Sequence, residues 1–430
     1  MSLYNSNITT RLIDPVFTQA NFRTEFRLHP DTVYLTNMRL LNVGVTSSSA
    51  SVYHGSLGVE ACLKNIYLYD GNQLLDQVLD IPKIRTFQKT NTRNDPNGSV
   101  SSETCCNSLG FVTVGNPDVT AGADVRPSMD SYKMDNINQD TGNETDPNED
   151  STHRGRVSLR DMLPFLNASM ALPTSIFTKL RIVIEWNSDA DLRQLNLDRD
   201  FSYTTLQPLL VVDELTGGNR REQLLQNYEG VNWNCVEGDR VILNEITGLS
   251  ATITSKEQKE RFNVNGFTNK TVNRMWLVQT PTNKNSYVDP DNGTQNQLWS
   301  GSAGSIAQFK PNYQFRVNGG NKLTRNGWSG ANKRLGHLTD TFGDFNVPAT
   351  QNQTWLDESD NISTPNGLIG QIDYTGLIIG ERISEFQLDI DRTGIWNNPN
   401  LNQMLQLNLF GEVQKSLVMG KNNSYNVIYS

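Results

Sequence analysis

The chain has 430 residues, a formal net charge of −9 and a hydrophobic content of 36 %. That length predicts two or three domains, and the acidic balance argues against nucleic-acid binding through massed phosphate contacts. Asn is more frequent than Lys and Arg together, and with 32 Gly and 16 Pro the composition suits many strands joined by many turns.

Residues 1–20 read as an N-terminal arm that packs on something else. They are polar, with scattered apolar anchors (Ile8, Leu12, Ile13, Val16, Phe17) and no strand rhythm. Met1 to Thr10 are mostly polar, so no signal peptide is expected. From residue 22 the pattern changes to a period of two: Phe22, Thr24, Phe26 and Leu28 face one way, Arg23, Glu25, Arg27 and His29 the other. This is a strand with one dry and one wet face. After Pro30 and Asp31 a second extended run covers 33–45. Strands over 61–69 and 73–81 follow, joined by the tight-turn signal Asp70-Gly71-Asn72.

The rhythm fails from 91 to 155, a polar insert whose second half is strongly acidic. Leu159, Met162, Leu163 and Leu166 then recur at helical spacing, interrupted by Pro164. Residues 176–186 and 208–215 read as strands, with Leu180, Ile182, Ile184 and Trp186 opposing Arg181, Val183 and Glu185. Gly217-Gly218-Asn219 marks the best boundary, and 220–228 a short linker helix. Strand patterns resume at 241–246, 249–254, 274–278, 313–317, 368–379, 383–390, 404–410, 412–419 and 425–429. The fold class is therefore all-β: two consecutive eight-stranded antiparallel jelly rolls, with long loop insertions and few short helices. The arm occupies 1–20, the first jelly roll 21–216 with its insert at 91–155, and the second 217–430.

No constellation for catalysis emerges. His29, His54, His153 and His337 are scattered, and Cys62, Cys105, Cys106 and Cys235 match no metal knuckle or disulfide framework, which fits reduced thiols. Asp135, Asp140, Asp146, Glu149 and Asp150 offer oxygen ligands without a calcium-loop spacing, and read as a solvated loop. Asp189 and Asp191, and Asp389 and Asp391 on one strand face, resemble carboxylate pairs but fit an exposed face or subunit contact better. Gly319-Gly320 lacks the Lys that completes a phosphate loop. Trp299, Trp328, Trp355 and Trp396 fall in predicted loops, where they either stack on sugars or anchor the loops; Trp233 and Trp276 read as core. No catalytic, cofactor-binding or metal residues are assigned, no cofactor is expected, and the chain is not read as an enzyme.

The runs NFRTEFRLHPDTVYLTNMRLLNVGV, LRDMLPFL, LPTSIFTKLRIVIEW and YQFRVNGGNKL resemble double jelly-roll major capsid proteins of Polinton-like viruses and virophages. More distant kin occur in large DNA viruses, adenoviruses and tectiviruses. The resemblance covers most of the chain as an order of elements. It implies two jelly rolls standing perpendicular to the capsid surface. Three chains then make a pseudo-hexagonal capsomer that tiles an icosahedral shell of a double-stranded DNA virus. The implied partners are the chain itself as a homotrimer, neighbouring capsomers, and minor capsid and penton proteins, with no sequence-specific nucleic-acid binding; the presence of an internal membrane beneath the shell stays open. The protein would be assembled inside the host cell and located in the virion. The competing reading from the residues is a carbohydrate-binding or adhesive β-sandwich.

Overall fold

A computed structural model describes residues 8–47, 52–54, 58–82, 84, 131–133, 152–167, 171–189, 203–216, 240–253, 259–281, 312–323, 340–341, 373–391, 405–420 and 425–429. In the first half the elements run β1 (Ile8–Ile13), β2 (Phe17–Gln19), β3 (Arg23–Arg27), β4 (Val33–Leu35), β5 (Arg39–Ser47), β6 (Val52–His54), a 3-10 turn (Gly58–Cys62), β7 (Leu63–Asp70), β8 (Gln73–Val78), β9 (Ser131–Lys133) and β10 (Thr152–Ser158). Helix α1 (Pro164–Asn167), β11 (Ala171–Pro173), β12 (Leu180–Trp186), β13 (Tyr203–Thr205) and β14 (Leu209–Leu215) complete it. The second half carries β15 (Arg240–Ile253), β16 (Lys259–Asn263), β17 (Thr271–Pro281), β18 (Asn312–Val317), β19 (Gly320–Asn321), β20 (Asp373–Arg382), β21 (Phe386–Asp391), β22 (Leu405–Met419) and β23 (Tyr425–Tyr429).

Each half is a two-sheet sandwich. In the first, a seven-stranded sheet (β10-β5-β14-β4-β11, with β1 on β14 and β13 on β5) is joined through one apolar cluster to a five-stranded sheet (β2-β3-β12-β7-β8). In the second, a five-stranded sheet (β15-β22-β17-β20, with β23 on β22) is joined through another cluster to a four-stranded sheet (β16-β21-β18-β19). All of the pairings are antiparallel. The first sandwich exceeds eight strands, in part because the N-terminal segment adds two. Residues 1–20 were expected to lack strands, yet β1 pairs with β14 and β2 with β3. Their side chains are largely exposed, so the alternation that marks a half-buried strand is missing; backbone pairing holds them, helped by Thr10 and Arg11 on Asp213 and Glu214 and by the buried Ile13.

Several expectations from periodicity change. Phe22 is exposed at 57 % because β3 starts only at Arg23 and Asn21, in the preceding turn, takes a left-handed φ of 54°. Glu25, expected on the wet face, is 7 % exposed, and Val183 only 2 %, because long neighbouring side chains cover that face. Val157 lies in a strand that starts at Thr152, inside the expected insert. Pro164 does not interrupt a helix but opens one, where its missing N–H costs nothing. The strand pairs expected at 241–246 and 249–254, and at 404–410 and 412–419, are each one long strand. Their glycines are sites of close approach and not breaks. A Cβ on Gly248 would meet the Phe410 ring at 2.9 Å, and one on Gly411 would meet Phe267 Cε1 at 2.5 Å. The linker helix at 220–228 lies outside the described residues.

Candidate functional site

In the sheet formed by β15, β22, β17 and β20, the central strands β17 and β22 are buried on both faces. Met275, Leu277, Leu409 and Val413 enter the second core. Their neighbours Ile246, Trp276 and Phe410, with Leu417, join the cluster of the first sandwich. Trp276 is 1 % exposed and stacks on Phe410 with centroids 5.9 Å apart. Trp276 is therefore core, as its sequence context predicts. Phe165 of α1, Phe177 and Tyr425 continue the junction edge to face, with centroids 5.8 and 5.2 Å apart. The two sandwiches thus meet through an apolar junction on one face of this sheet, while the second core lies on its other face.

Within this junction lies a charged cluster. Lys415 of β22 is 1 % exposed, Asp76 of β8 0 % and Glu245 of β15 2 %. The Lys415 ammonium donates to the Leu75 carbonyl and to Glu245 Oε2, the latter at 2.9 Å, and lies 3.7 Å from Asp76 Oδ1. Asp76 accepts the Phe165 backbone N–H on Oδ2 at 2.7 Å and the Gln77 N–H on Oδ1 at 2.9 Å. Glu245 also accepts from Gln77 Nε2 at 3.1 Å and from the Tyr429 hydroxyl at 3.0 Å. Two carboxylates thus share one ammonium in a dry site. Burial pushes the Asp76 carboxyl up to about 6, against the opposing pull of Lys415. The Tyr429 phenol is raised by burial and then by Glu245. Tyr425 donates to Asp70 Oδ2 at 2.7 Å, and its phenol is likewise raised by burial first. Sequence reasoning missed this cluster. Its members are hundreds of residues apart, and the faint signal is a charge embedded between apolar neighbours, as in LLDQV and VILNEI.

Outside the junction, the open face of the five-stranded sheet in the first sandwich gathers three guanidinium groups around Glu25. Arg23 Nη2 lies 3.1 Å from it, Arg27 and Arg181 each 3.6 Å, and Arg181 also covers the Tyr69 ring at 4.7 Å. Arg27, Arg181 and Lys179 line an open hollow of about 540 Å³ at the end of this sheet. On the second sandwich Asp389 of β21 is held by Arg261 at 2.5 Å and Arg316 at 2.7 Å, and the Arg261 hydrogen bond lowers its carboxyl below the ordinary range. Asp389 therefore sits in a cross-strand ion cluster on an outer face. Among the described residues, the exposed large apolar side chains are Ile8, Leu12, Val16, Phe17 and Phe22 in the N-terminal segment, and Ile378, Ile428 and Tyr429 on β20 and β23.

Of the other sequence candidates, His29 is exposed beside β3, and His54 and His153 lie in β6 and β10. Among the described residues no three His, Cys, Asp or Glu side chains converge as a metal site. Cys62 is a buried free thiol whose ionisation burial opposes. Gly319 forms the turn between β18 and β19, with a φ of 79°. Asp135, Asp140, Asp146, Glu149, Asp150, Asp191, His337, Cys105, Cys106, Cys235, Trp233, Trp299, Trp328, Trp355 and Trp396 lie outside the described residues. No helix among the described residues is long and apolar enough to cross a membrane.

No protein-family profile and no curated protein matches the sequence. Solved structures do match the fold over its whole length. The PBCV-1 VP54 structure, fitted into a cryo-EM reconstruction of the virophage Sputnik, superposes with a TM-score of 0.54 at 12 % identity, covering 100 % of this chain and 99 % of that one. The Sputnik virophage structure by cryo-EM gives 0.50 at 10 %, covering 98 % and 88 %. The Faustovirus major capsid protein gives 0.50 at 8 %, covering 96 % and 90 %. The chain has the double jelly-roll fold of these capsid proteins.

Proposed function

We propose that the chain is a viral major capsid protein, acting by assembly and not as an enzyme. Three copies form a pseudo-hexagonal capsomer that tiles the icosahedral shell of a double-stranded DNA virus, so the protein resides in the virion after assembly inside the host cell. The observation that carries this reading is the end-to-end likeness to PBCV-1 VP54, in which 100 % of this chain and 99 % of that one are covered at a TM-score of 0.54. Two sandwiches fused through a doubly buried sheet suit a rigid brick with two comparable flanks, which is what three copies need to present six. In this reading the functional units are the arm at 1–20, a first jelly roll at 21–216 with its insert at 91–155, and a second at 217–430. Minor capsid and penton proteins are further partners.

The apolar exposure supports a contact role for the edges. Leu12 is 62 % exposed, Val16 55 % and Phe17 45 %, all on or beside strands at sheet edges, where association covers both apolar surface and free backbone. Size-exclusion chromatography with light scattering tests the proposal. The purified chain should run as a trimer, and the double substitution Leu12→Glu, Phe17→Glu should shift it to a folded monomer. A wild-type protein that stays monomeric at high concentration would overturn the reading.

A further inference from the structure

We propose that Lys415 and Asp76 condense to form an amide, with Glu245 as the catalytic acid–base, so that the two sandwiches become covalently joined. The inference does not depend on the capsid reading; it follows from three side chains that a non-covalent structure has little reason to bury together. Replacing a buried ion pair by apolar residues of similar volume is often neutral or stabilising, so burial of Lys415 with two carboxylates is weakly explained by stability alone. A reaction between the groups explains it better.

The geometry fits the chemistry. The Lys415 Nζ atom is 3.7 Å from Asp76 Oδ1 and 2.9 Å from Glu245 Oε2, so amine, carboxyl and base are in mutual contact before any bond forms. Glu245 touches the atom that must lose a proton. The Phe165 N–H on Asp76 Oδ2 at 2.7 Å polarises the carboxyl and faces the negative charge that develops when it is attacked, while the Gln77 N–H at 2.9 Å holds Oδ1, the departing oxygen. Lys415, Asp76 and Glu245 are all within 2 % of full burial, so water, which would hydrolyse the product, is excluded. The raised Asp76 carboxyl, about 6, makes its protonated and more electrophilic form accessible near neutral pH. The charged and titratable groups facing it are Lys415 from β22, Glu245 from β15 and the Tyr429 phenol from β23.

The step balances without oxidant, reductant or cofactor. Asp76 takes one proton from solvent. The Lys415 ammonium passes a proton to Glu245, and the freed Nζ lone pair attacks Cγ of Asp76. The Nζ–Cγ bond forms and the Cγ–Oδ1 bond breaks, with Glu245 relaying the second amine proton to the departing oxygen. One water leaves, and Glu245 returns to solvent the proton that Asp76 took up. The sum is ammonium plus carboxylate giving amide plus water. The product ties β8 to β22 across the junction and closes a loop between positions 76 and 415, a constraint of the kind that stabilises by limiting the unfolded chain.

Mass spectrometry of the full-length purified chain, denatured before measurement, tests this directly. The wild type should be lighter than its sequence mass by one water. Proteolysis should yield a branched peptide joining the segment of Asp76 to that of Lys415. Glu245→Gln keeps a side chain able to meet Gln77 and Tyr429 but removes the base, so the folded variant should retain its full mass and give separate peptides. Lys415→Met should do the same. A folded wild-type chain at full mass overturns the proposal. A branch on Glu245 instead of Asp76, or an undiminished link in Glu245→Gln, overturns the assignment of roles.

Discussion

Asp76 and Asp389 are both strand aspartates, each held by basic side chains on neighbouring strands, yet their carboxyls shift in opposite directions. Asp389 lies on the outer face of β21, 22 % exposed, between Arg261 and Arg316. Two guanidinium groups for one carboxylate favour its charged form, and water still reaches it. Asp76 lies between the sandwiches, fully buried, with one ammonium shared between it and Glu245. There burial outweighs the ion pair and favours the neutral acid. The same residue type is thus a surface tether in one place and a reactive, energetically tense group in the other. The difference is set by the ratio of charges and by access to solvent.

Removing the cation from the junction is the largest expected effect. Measured against a chain in which the Lys415–Asp76 amide has not formed, Lys415→Met leaves two carboxylates buried without a counter-ion, a change that costs about 3–5 kcal/mol in comparable pairs. Denaturant unfolding should show it, and a loss under about 1 kcal/mol would mean that water enters the junction to solvate both acids. The pH profile sharpens the contrast. In a chain where the Lys415–Asp76 amide has not formed, Asp76 moves from 3.8 to about 6 on folding. Its folded form binds the proton more tightly. The stabilising contribution is therefore complete below the ordinary carboxylate value and is lost as pH rises through about 6, spanning about 3 kcal/mol in all. Asp76→Ala removes the titrating group, so it should flatten this dependence between about pH 4 and 6 in thermal melts. A parallel profile would place the titration elsewhere.

The parts of the molecule that the sequence makes legible are those where one sheet face is dry and the other wet. Leu388 and Ile390 face the second core while Asp389 faces out, as the period of two predicts. The doubly buried sheet defeats that logic. In β22 Leu409 and Phe410 are both buried, one into each cluster, so no alternation distinguishes the strand. Gly411 then looks like a break, although it only makes room for Phe267. The charged cluster is less legible still. The apolar neighbours in LLDQV or VQKSLVM only faintly mark Asp76 or Lys415 as buried, because each is buried by the other sandwich. Conversely, β1 and β2 lack an apolar rhythm because they pair by backbone at the edge, with all their side chains but Ile13 left outside.

The smallest effects belong to the outer ion cluster, and they carry the opposite sign with pH. Arg316→Ala should cost only about 0.2–1 kcal/mol, since exposed pairs gain little in water. Asp389 is lowered on folding, first by the Arg261 hydrogen bond, so its stabilising contribution is present above the ordinary carboxylate value and is lost as pH falls below it. Acid should therefore first favour the unlinked junction at Asp76, between about pH 6 and the ordinary carboxylate value, and only below that value weaken the second sandwich at Asp389. Salt separates the two further. Raising ionic strength screens the exposed Arg261–Asp389–Arg316 cluster but barely reaches charges buried between the sandwiches. The stability difference between wild type and Arg316→Ala should then shrink toward zero at about 1 M salt, while that between wild type and Lys415→Met persists. If both differences collapse together, the junction is wet and the contrast between the two aspartates fails.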